Sequence, residues 1–410
     1  MTRKKTYFPH ISGSVSQEFD MASFLLIVIC LIFISCGLPD SLLGSGWPQM
    51  QLSFHVPSSY SGYVSRAISF MTIIASLSSP MLIKKFKTKW IVVVSIFLSV
   101  LGLYGFSLST RFWMLLVIAI PYGLGAGAID ASINHFVANH YSGSAMDFIH
   151  CFYGVGAALS PHIMALAISM ARWNEGYRWT AYVQTAILII VIISLPLWKS
   201  AQNVSEEKEI TESASLWETI RHPGVILTLL AFFAYAAGES VCFLWTPSFF
   251  DKNGHVLPPA LVASFGSLIF GGLALGRFLS GFITDKLGDR KIIKLGVLVE
   301  IVGIILILIP GVHYMVAVVG FVVIGVGMGP IFPTFQHMAP VNFGKKYSAA
   351  VIGLQMSAAY VGTTFMPLAF GILQQHAGIG IMPLYLFVFA VLNIVLLQLA
   401  LRKVDKNQSR

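Results

Sequence analysis

The chain has 410 residues, 56% hydrophobic and only 10% charged, with a formal net charge of +9; soluble domains run near ~45–50% apolar and ~25% charged. An ordinary soluble enzyme is therefore excluded. A transmembrane helix uses roughly 20 apolar residues, so about twelve would occupy on the order of 240 and leave short connectors. The composition predicts an all-α polytopic membrane protein.

The Lys and Arg residues punctuate apolar stretches instead of lining one soluble face, so the charge reads as membrane topology and not as a nucleic-acid surface. Cys30, Cys36, Cys151 and Cys242 all lie in apolar segments without metal-ligand spacing. Neither a disulfide framework nor a metal site is expected.

In chain order, the first apolar run begins at Met21, behind Arg3, Lys4 and Lys5. It continues past the length of a signal-peptide core and is read as a retained span. Apolar segments follow the pattern 22–46, 59–83, 90–109, 112–141, 148–171 and 178–198, then 224–250, 258–284, 291–310, 313–340, 348–375 and 381–401. Between the two sets lies a polar interlude carrying Glu206, Glu207, Glu209 and Glu212. The expected division is an N-terminal six-helix bundle at 1–199, a cytoplasmic linker at 200–221 and a C-terminal six-helix bundle at 222–410. With the N-terminus inside, alternate connectors hold 20 Lys and Arg on the cytoplasmic side against 4 (Arg111, Arg172, Arg178, Lys252) on the other. The positive-inside rule then puts both termini in the cytoplasm, at the cell (inner) membrane.

Internal repetition supports two like-oriented halves. Gly123, Gly125 and Gly127 are followed by Asp130, Asn134 and His135; Gly325, Gly327 and Gly329 are followed by Phe332, Gln336 and His337, every offset being 202. The runs Val155–Pro161 and Val361–Pro367 repeat at an offset of 206. A parallel repeat implies a pseudo-twofold axis along the membrane normal and a cavity between the halves.

Six ionisable residues remain inside the expected spans: Asp40, Arg66, Asp130, Glu239, Arg277 and Glu300. Each costs about 2.5–3.5 kcal/mol near a helix centre on insertion scales, so most should face the bundle or water. Gly123, Gly127, Asp130 and Asn134 share one helical stripe, as do Tyr235, Glu239, Cys242 and Thr246, with Trp245 beside the latter. Carboxylate, amide, hydroxyl and aromatic groups together suit a sugar, whose hydroxyls need donors and acceptors while its C–H faces stack on rings. His150 could bind a solute or cap a helix start near Asp147. Asp40 and Asp130 are candidate couplers, since a carboxylate among apolar groups can exchange a proton or ligate Na⁺.

The stretch Gly281-Phe-Ile-Thr-Asp285-Lys-Leu-Gly288-Asp-Arg290-Lys291 resembles the hallmark cytoplasmic loop of the major facilitator superfamily; the first-half equivalent, Pro80 to Lys89, keeps the bases but lacks the acid and glycine. Three further pieces resemble that superfamily's fucose–proton and sodium–glucose symporter branch. They are Pro39-Asp40 leading to Trp47-Pro48-Gln49; Gly123 to Asp130 with Asn134; and Tyr235 to Glu239 with Trp245. The resemblance implies the major facilitator fold, with about twelve transmembrane helices in two parallel six-helix repeats. It also implies a secondary transporter, not an enzyme: H⁺- or Na⁺-coupled symport of a sugar or similar polar solute by alternating access. Asp40, Asp130, Asn134, His150, Tyr235, Glu239, Trp245 and Gln336 are the expected binding or coupling residues. Arg277, Gly281, Asp285, Gly288, Arg290 and Lys291 are the expected gating group. No cofactor is expected beyond the coupling ion; the partners are the solute, the cation and the bilayer, with the protein a monomer and no nucleic acid involved. The alternatives are a proton-driven exporter of amphipathic compounds, whose fifth-span signature is absent, and a non-transporting sensor.

Overall fold

The structure is a computed structural model that describes residues 15–57, 60–170, 172–198, 214–252, 265–309 and 313–409. Most of the expected linker (199–213), the start of the expected eighth span (258–264), and Arg3, Lys4, Lys5 and Arg410 lie outside the described residues.

Among the described residues the helices form twelve spans. In the N-terminal half, α1 (Val15–Gly37) and α2 (Leu42–Phe54) form the first, followed by α3 (Ser61–Lys85), α4 (Thr88–Leu108), α5 (Phe112–His140), α6 (Gly143–Met170) and α7 (Trp173–Ser194). A short helix, α8 (Leu216–Arg221), precedes the C-terminal half. That half comprises α9 (Val225–Lys252), α10 (Leu268–Gly281), the single turn α11 (Thr284–Leu287), α12 (Asp289–Leu308), α13 (Tyr314–Met328) with α14 (Ile331–Phe343) as one broken span, α15 (Lys345–Ala377) and α16 (Met382–Gln408). Helices are imposed here because hydrocarbon offers no partner to backbone N–H and C=O groups. Ten of the spans are long and apolar enough to cross a membrane on their own; α10 is shorter, and α12 begins with Asp289, Arg290, Lys291 and Lys294. Large apolar side chains such as Phe24, Val94, Ile193, Phe278 and Leu298 are exposed around the outside, a surface made for lipid.

Glycine sets the packing. A Cβ on Gly127 would lie 2.2 Å from the Thr72 carbonyl oxygen and one on Gly123 2.5 Å from that of Ile68, so α5 rides backbone-to-backbone on α3. Gly125 faces the other way, with its Cβ position 2.7 Å from Ser95 O on α4. The second half repeats this at the constant offset: Gly325 and Gly329 press on Ile269 O and Leu273 O of α10, and Gly327 on α12. The pseudo-twofold read from the sequence is thus a packing identity.

The halves meet through α3 against α15 and α6 against α10, two helix pairs that the pseudo-twofold exchanges, and through α5 and α6 against α14. The end of the bundle carrying the 86–87 and 285–288 connectors is called the base below. At the base a Cβ on Gly353 of α15 would sit 2.5 Å from Ser76 O of α3, and one on Gly281 would strike the Phe148 ring.

Two elements were hidden from the apolar pattern. The first span breaks at Leu38–Ser41, and its helix resumes to Phe54, eight residues past the expected end. The end of the expected linker is α8, capped by Ser215, whose side chain accepts from Glu218 N–H at 3.2 Å. Ser215 with Glu218 three residues on is the spacing of a capping box. Glu218 in turn accepts from Lys346 Nζ at 2.7 Å and Tyr347 Oη at 3.0 Å. These bonds hold its carboxyl below the usual range.

Gly127→Ala should destabilise the protein by about 1–3 kcal/mol, the cost of overpacking a close contact. Gly271→Ala, where a Cβ meets nothing within 4 Å, should leave thermal unfolding in detergent unchanged. Equal melting of the two variants would contradict the packing assigned to α5.

Candidate functional site

Asp40 lies in the break of the first span, where the helix is interrupted between Gly37 and Leu42. The break is pinned to α6 by reciprocal glycines: a Cβ on Gly37 would meet Tyr153 O at 2.1 Å, and one on Gly156 would meet Ile34 O at 2.3 Å. The same approach lets the Tyr153 hydroxyl donate to Asp40 Oδ2. Asp40 is exposed and lines a cavity between the helices. That cavity, about 50 Å³, is also lined by Asp130, Ser35, Ser99, Tyr153 and Tyr360.

Asp130 follows the Gly123–Gly127 contact by one turn, so the packing that seats α5 on α3 also turns the carboxylate inward. One oxygen accepts from the Tyr360 hydroxyl of α15 at 2.7 Å, a bond between the two halves. The other accepts from Asn134 Nδ2 at 2.9 Å. Asn134 Oδ1 lies 3.0 Å from His150 Nε2, and an amide oxygen only accepts, so the imidazole carries its proton there. The His150 ring is held edge-on to Phe33 and Phe332. His150 closes a line that runs from half-buried Tyr360 and Asp130 through Asn134 to the buried imidazole.

The C-terminal half is arranged differently. Tyr235 donates to Glu239 at 2.5 Å, both buried. Glu239 interacts electrostatically with Arg277, and Glu300 with Glu239. Trp245 stands apart from this pair, its indole N–H donating to Pro367 O at 3.1 Å and its ring packed against Phe370. Gln336 is fully buried against Met356 Sδ, with Oε1 unpartnered. The structure therefore joins Asp40, Asp130, Asn134 and His150 in one region, pairs Tyr235 with Glu239, and leaves Trp245 and Gln336 separate. Arg66 is exposed near the start of α3, away from the base.

The expected gating residues divide as well. Arg277 lies within the α10 span, not in the loop; its guanidinium donates to Gly329 O at 3.3 Å and, across the halves, to His150 O at 3.4 Å. Gly281 ends α10, and Gly288 turns at φ +82° into α12. Asp285 and Ser144 bind each other reciprocally: Asp285 Oδ1 accepts from Ser144 N–H at 3.0 Å, and Ser144 Oγ accepts from Asp285 N–H at 3.1 Å. Arg290 forks onto Asp405 of α16 at 2.9 and 2.7 Å inside its own half, and Lys291 is exposed.

Sequence reasoning missed Tyr153, Tyr360, and the pair Asp147–Thr284. Asp147 is fully buried; Thr284 Oγ1 lies 2.5 Å from its Oδ2, while its Oδ1 has no partner. Ser348 of α15 is shared by His135 and Asn139 of α5, both at 3.1 Å. These bonds tie the halves together at the base. Thr284→Val removes one of them and strands Asp147, at a cost of about 1–3 kcal/mol. It should speed hydrogen–deuterium exchange over residues 141–150 and 280–290; unchanged exchange would show that this bond does not hold the base shut.

A sequence profile of the Major Facilitator Superfamily matches residues 29–367 and 257–410. The chain is 22% identical over 364 residues to the uncharacterized MFS-type transporter YfkL of Bacillus subtilis (strain 168), covering 87% of this chain and 90% of that protein. It is 22% identical over 310 residues to the glucose/mannose transporter GlcP of the same organism, covering 72% and 74%. Among solved structures, the transporter FucP in its outward conformation matches with a TM-score of 0.76 at 16% identity, over 93% of this chain and 99% of that one. The proton:xylose symporter XylE matches with a TM-score of 0.75 at 11% identity, over 94% and 95%.

Proposed function

The chain belongs to the Major Facilitator Superfamily of transporters, and on that footing we propose that it couples entry of a cation, H⁺ or Na⁺, to symport of a sugar or similar small polar solute. The observation that carries this reading is the pair Asp40 and Asp130 on one interior cavity, the second bonded across the halves to Tyr360. Two carboxylates beside a cavity of about 50 Å³ suit a proton or small cation better than a hexose. The solute itself then lies between the halves, where the Tyr235–Glu239 pair and Trp245 belong to the opposing wall. The base is the cytoplasmic side, by the excess of Lys and Arg in its connectors, with both termini there. The protein works as a monomer in the cell membrane, without an organic cofactor.

The mechanism follows from what loading does to Asp130. A hydrogen bond to a charged acceptor is worth about 1.5–3 kcal/mol, against about 0.5–1.5 for a neutral one. A cation or proton on the carboxylate therefore weakens the Tyr360 bond, which ties the halves at cavity level. Weakening it favours rocking of the halves and opening of the base, with the Asp147–Thr284, Asp285–Ser144 and Ser348 contacts parting in turn. One cation moving down the membrane potential supplies about 2.3 kcal/mol per 100 mV, enough for roughly 50-fold accumulation of a neutral solute.

The deciding experiment is solute-evoked alkalinisation outside right-side-out vesicles, across a hexose panel, with and without Na⁺. Alkalinisation by one sugar is the expected trace for proton coupling, and Na⁺-dependent uptake of labelled sugar the expected trace for sodium. Asp130→Asn should abolish accumulation while the protein stays folded and inserted; wild-type accumulation by that variant would overturn the coupling role. Trp245→Ala should raise the solute Kd about tenfold, equivalent to about 1.4 kcal/mol, in equilibrium binding. An unchanged Kd would remove Trp245 from the solute site. Silence in every proton and sodium trace would overturn symport.

A further inference from the structure

A second cavity lies at the base, outside the region where the halves meet. It measures about 400 Å³ and is bounded by α8, the first turn of α9 and the end of α16. Its lining combines Trp217, Ile220 and Ile226 with Arg221, His222 and Lys403. The turn from α8 into α9 is made by Gly224 at φ +92°, where a Cβ would meet Val404 at 2.9 Å and Ala400 O at 3.0 Å of α16. The turn that forms one side of the cavity is therefore fixed by backbone contact with α16.

Its chemistry is amphiphilic, and its charge is uncompensated. Arg221 lies 4.5 Å over the Trp217 ring, and Trp217 is 64% exposed. Among the described residues neither Arg221 nor Lys403 has an acidic partner. The one acid of α8, Glu218, is committed to Lys346 and Tyr347. The His222 ring packs against Phe343 and Tyr347, and its Nδ1 is buried with no partner. Ile226, in the first turn of the α9 span, is exposed, so the apolar side of the cavity continues onto the lipid-facing surface. Cations at the end of the spans above an apolar wall that runs into the bilayer complement one kind of molecule, an anionic amphiphile.

We propose that this cavity binds a phospholipid with an anionic headgroup, drawn from the surrounding leaflet. Arg221, Lys403 and His222 hold the phosphate, Trp217 covers it at the interface, and Ile226 begins the track of an acyl chain. An occupant there braces α8 and α16 against α9, next to the Glu218–Lys346 link to α15. The site is independent of the solute and of the coupling ion.

The test is native mass spectrometry of the full-length protein with phosphatidylglycerol or phosphatidylcholine of identical acyl chains. At least tenfold more phosphatidylglycerol than phosphatidylcholine adduct is expected. The double variant Arg221→Gln/Lys403→Gln should lose that preference, and Arg221→Lys/Lys403→Arg, which keeps the charges, should retain it if both variants elute as monodisperse protein. Unaltered preference in the glutamine variant would overturn the site. Equal competition by glycerol phosphate, which has no acyl chain, would also overturn it by showing a free-anion site. If phosphatidylglycerol bound only after Glu206, Glu207, Glu209 and Glu212 were changed to Gln, the acidic stretch and not a lipid would be the occupant.

Discussion

The Thr72 carbonyl oxygen sits where a methyl group on residue 127 would have to be, and much of the molecule depends on that contact. It locks α5 to α3 at a distance no other residue permits and fixes the rotation of α5 about its axis. That rotation turns Asp130, one turn on, toward the interior cavity and Tyr360. The corresponding contacts of Gly325 and Gly329 on α10 set the rotation of the tenth span in the same way. In a bilayer, where lipid tails are as apolar as Leu, such close approach is what gives helices a reason to associate.

From this shared frame the halves diverge in chemistry. The N-terminal half turns two carboxylates onto a cavity and relays one of them through Asn134 to His150. The C-terminal half, at the position repeating Asp130, has Phe332, whose ring abuts His150. Its own acids, Glu239 and Glu300, are buried among C-terminal helices. The repeat thus supplies architecture twice and the cavity-lining carboxylates once. The same inequality marks the base, where Asp285 of the second-half loop and Ser144 of α6 cap each other across the halves and the first-half loop has no acid to do so.

How much of this was legible in the sequence follows from the range of each interaction. Spans, the repeat and the inward carboxylates were readable, because apolar length, constant offset and charge in a span are local or periodic signals. The gathering of Asp40 and Asp130 around a cavity was legible only as candidates, since their hydroxyl partners lie 113 and 230 residues away. Tyr153 and Tyr360 carry no mark of their own, as a tyrosine in a span is ordinary. Asp147 sits near the start of α6, where a carboxylate reads as interfacial; only the approach of α11 buries it. Ser215 with Glu218 was a readable helix start, masked by the polar run preceding it. Trp245 shares α9 with the Tyr235–Glu239 pair and Gln336 repeats Asn134, but a helix face spans several neighbours, and each of these two is turned to a different one.

Arg277 grips two carbonyl oxygens, one in each half, and both belong to the main chain. At position 150 a link of that kind ignores which side chain the residue carries. Position 150 can therefore drift through evolution without loosening it, so long as the helix stays where it is. A search for residues that vary together with Arg277 would therefore find no partner for it at position 150.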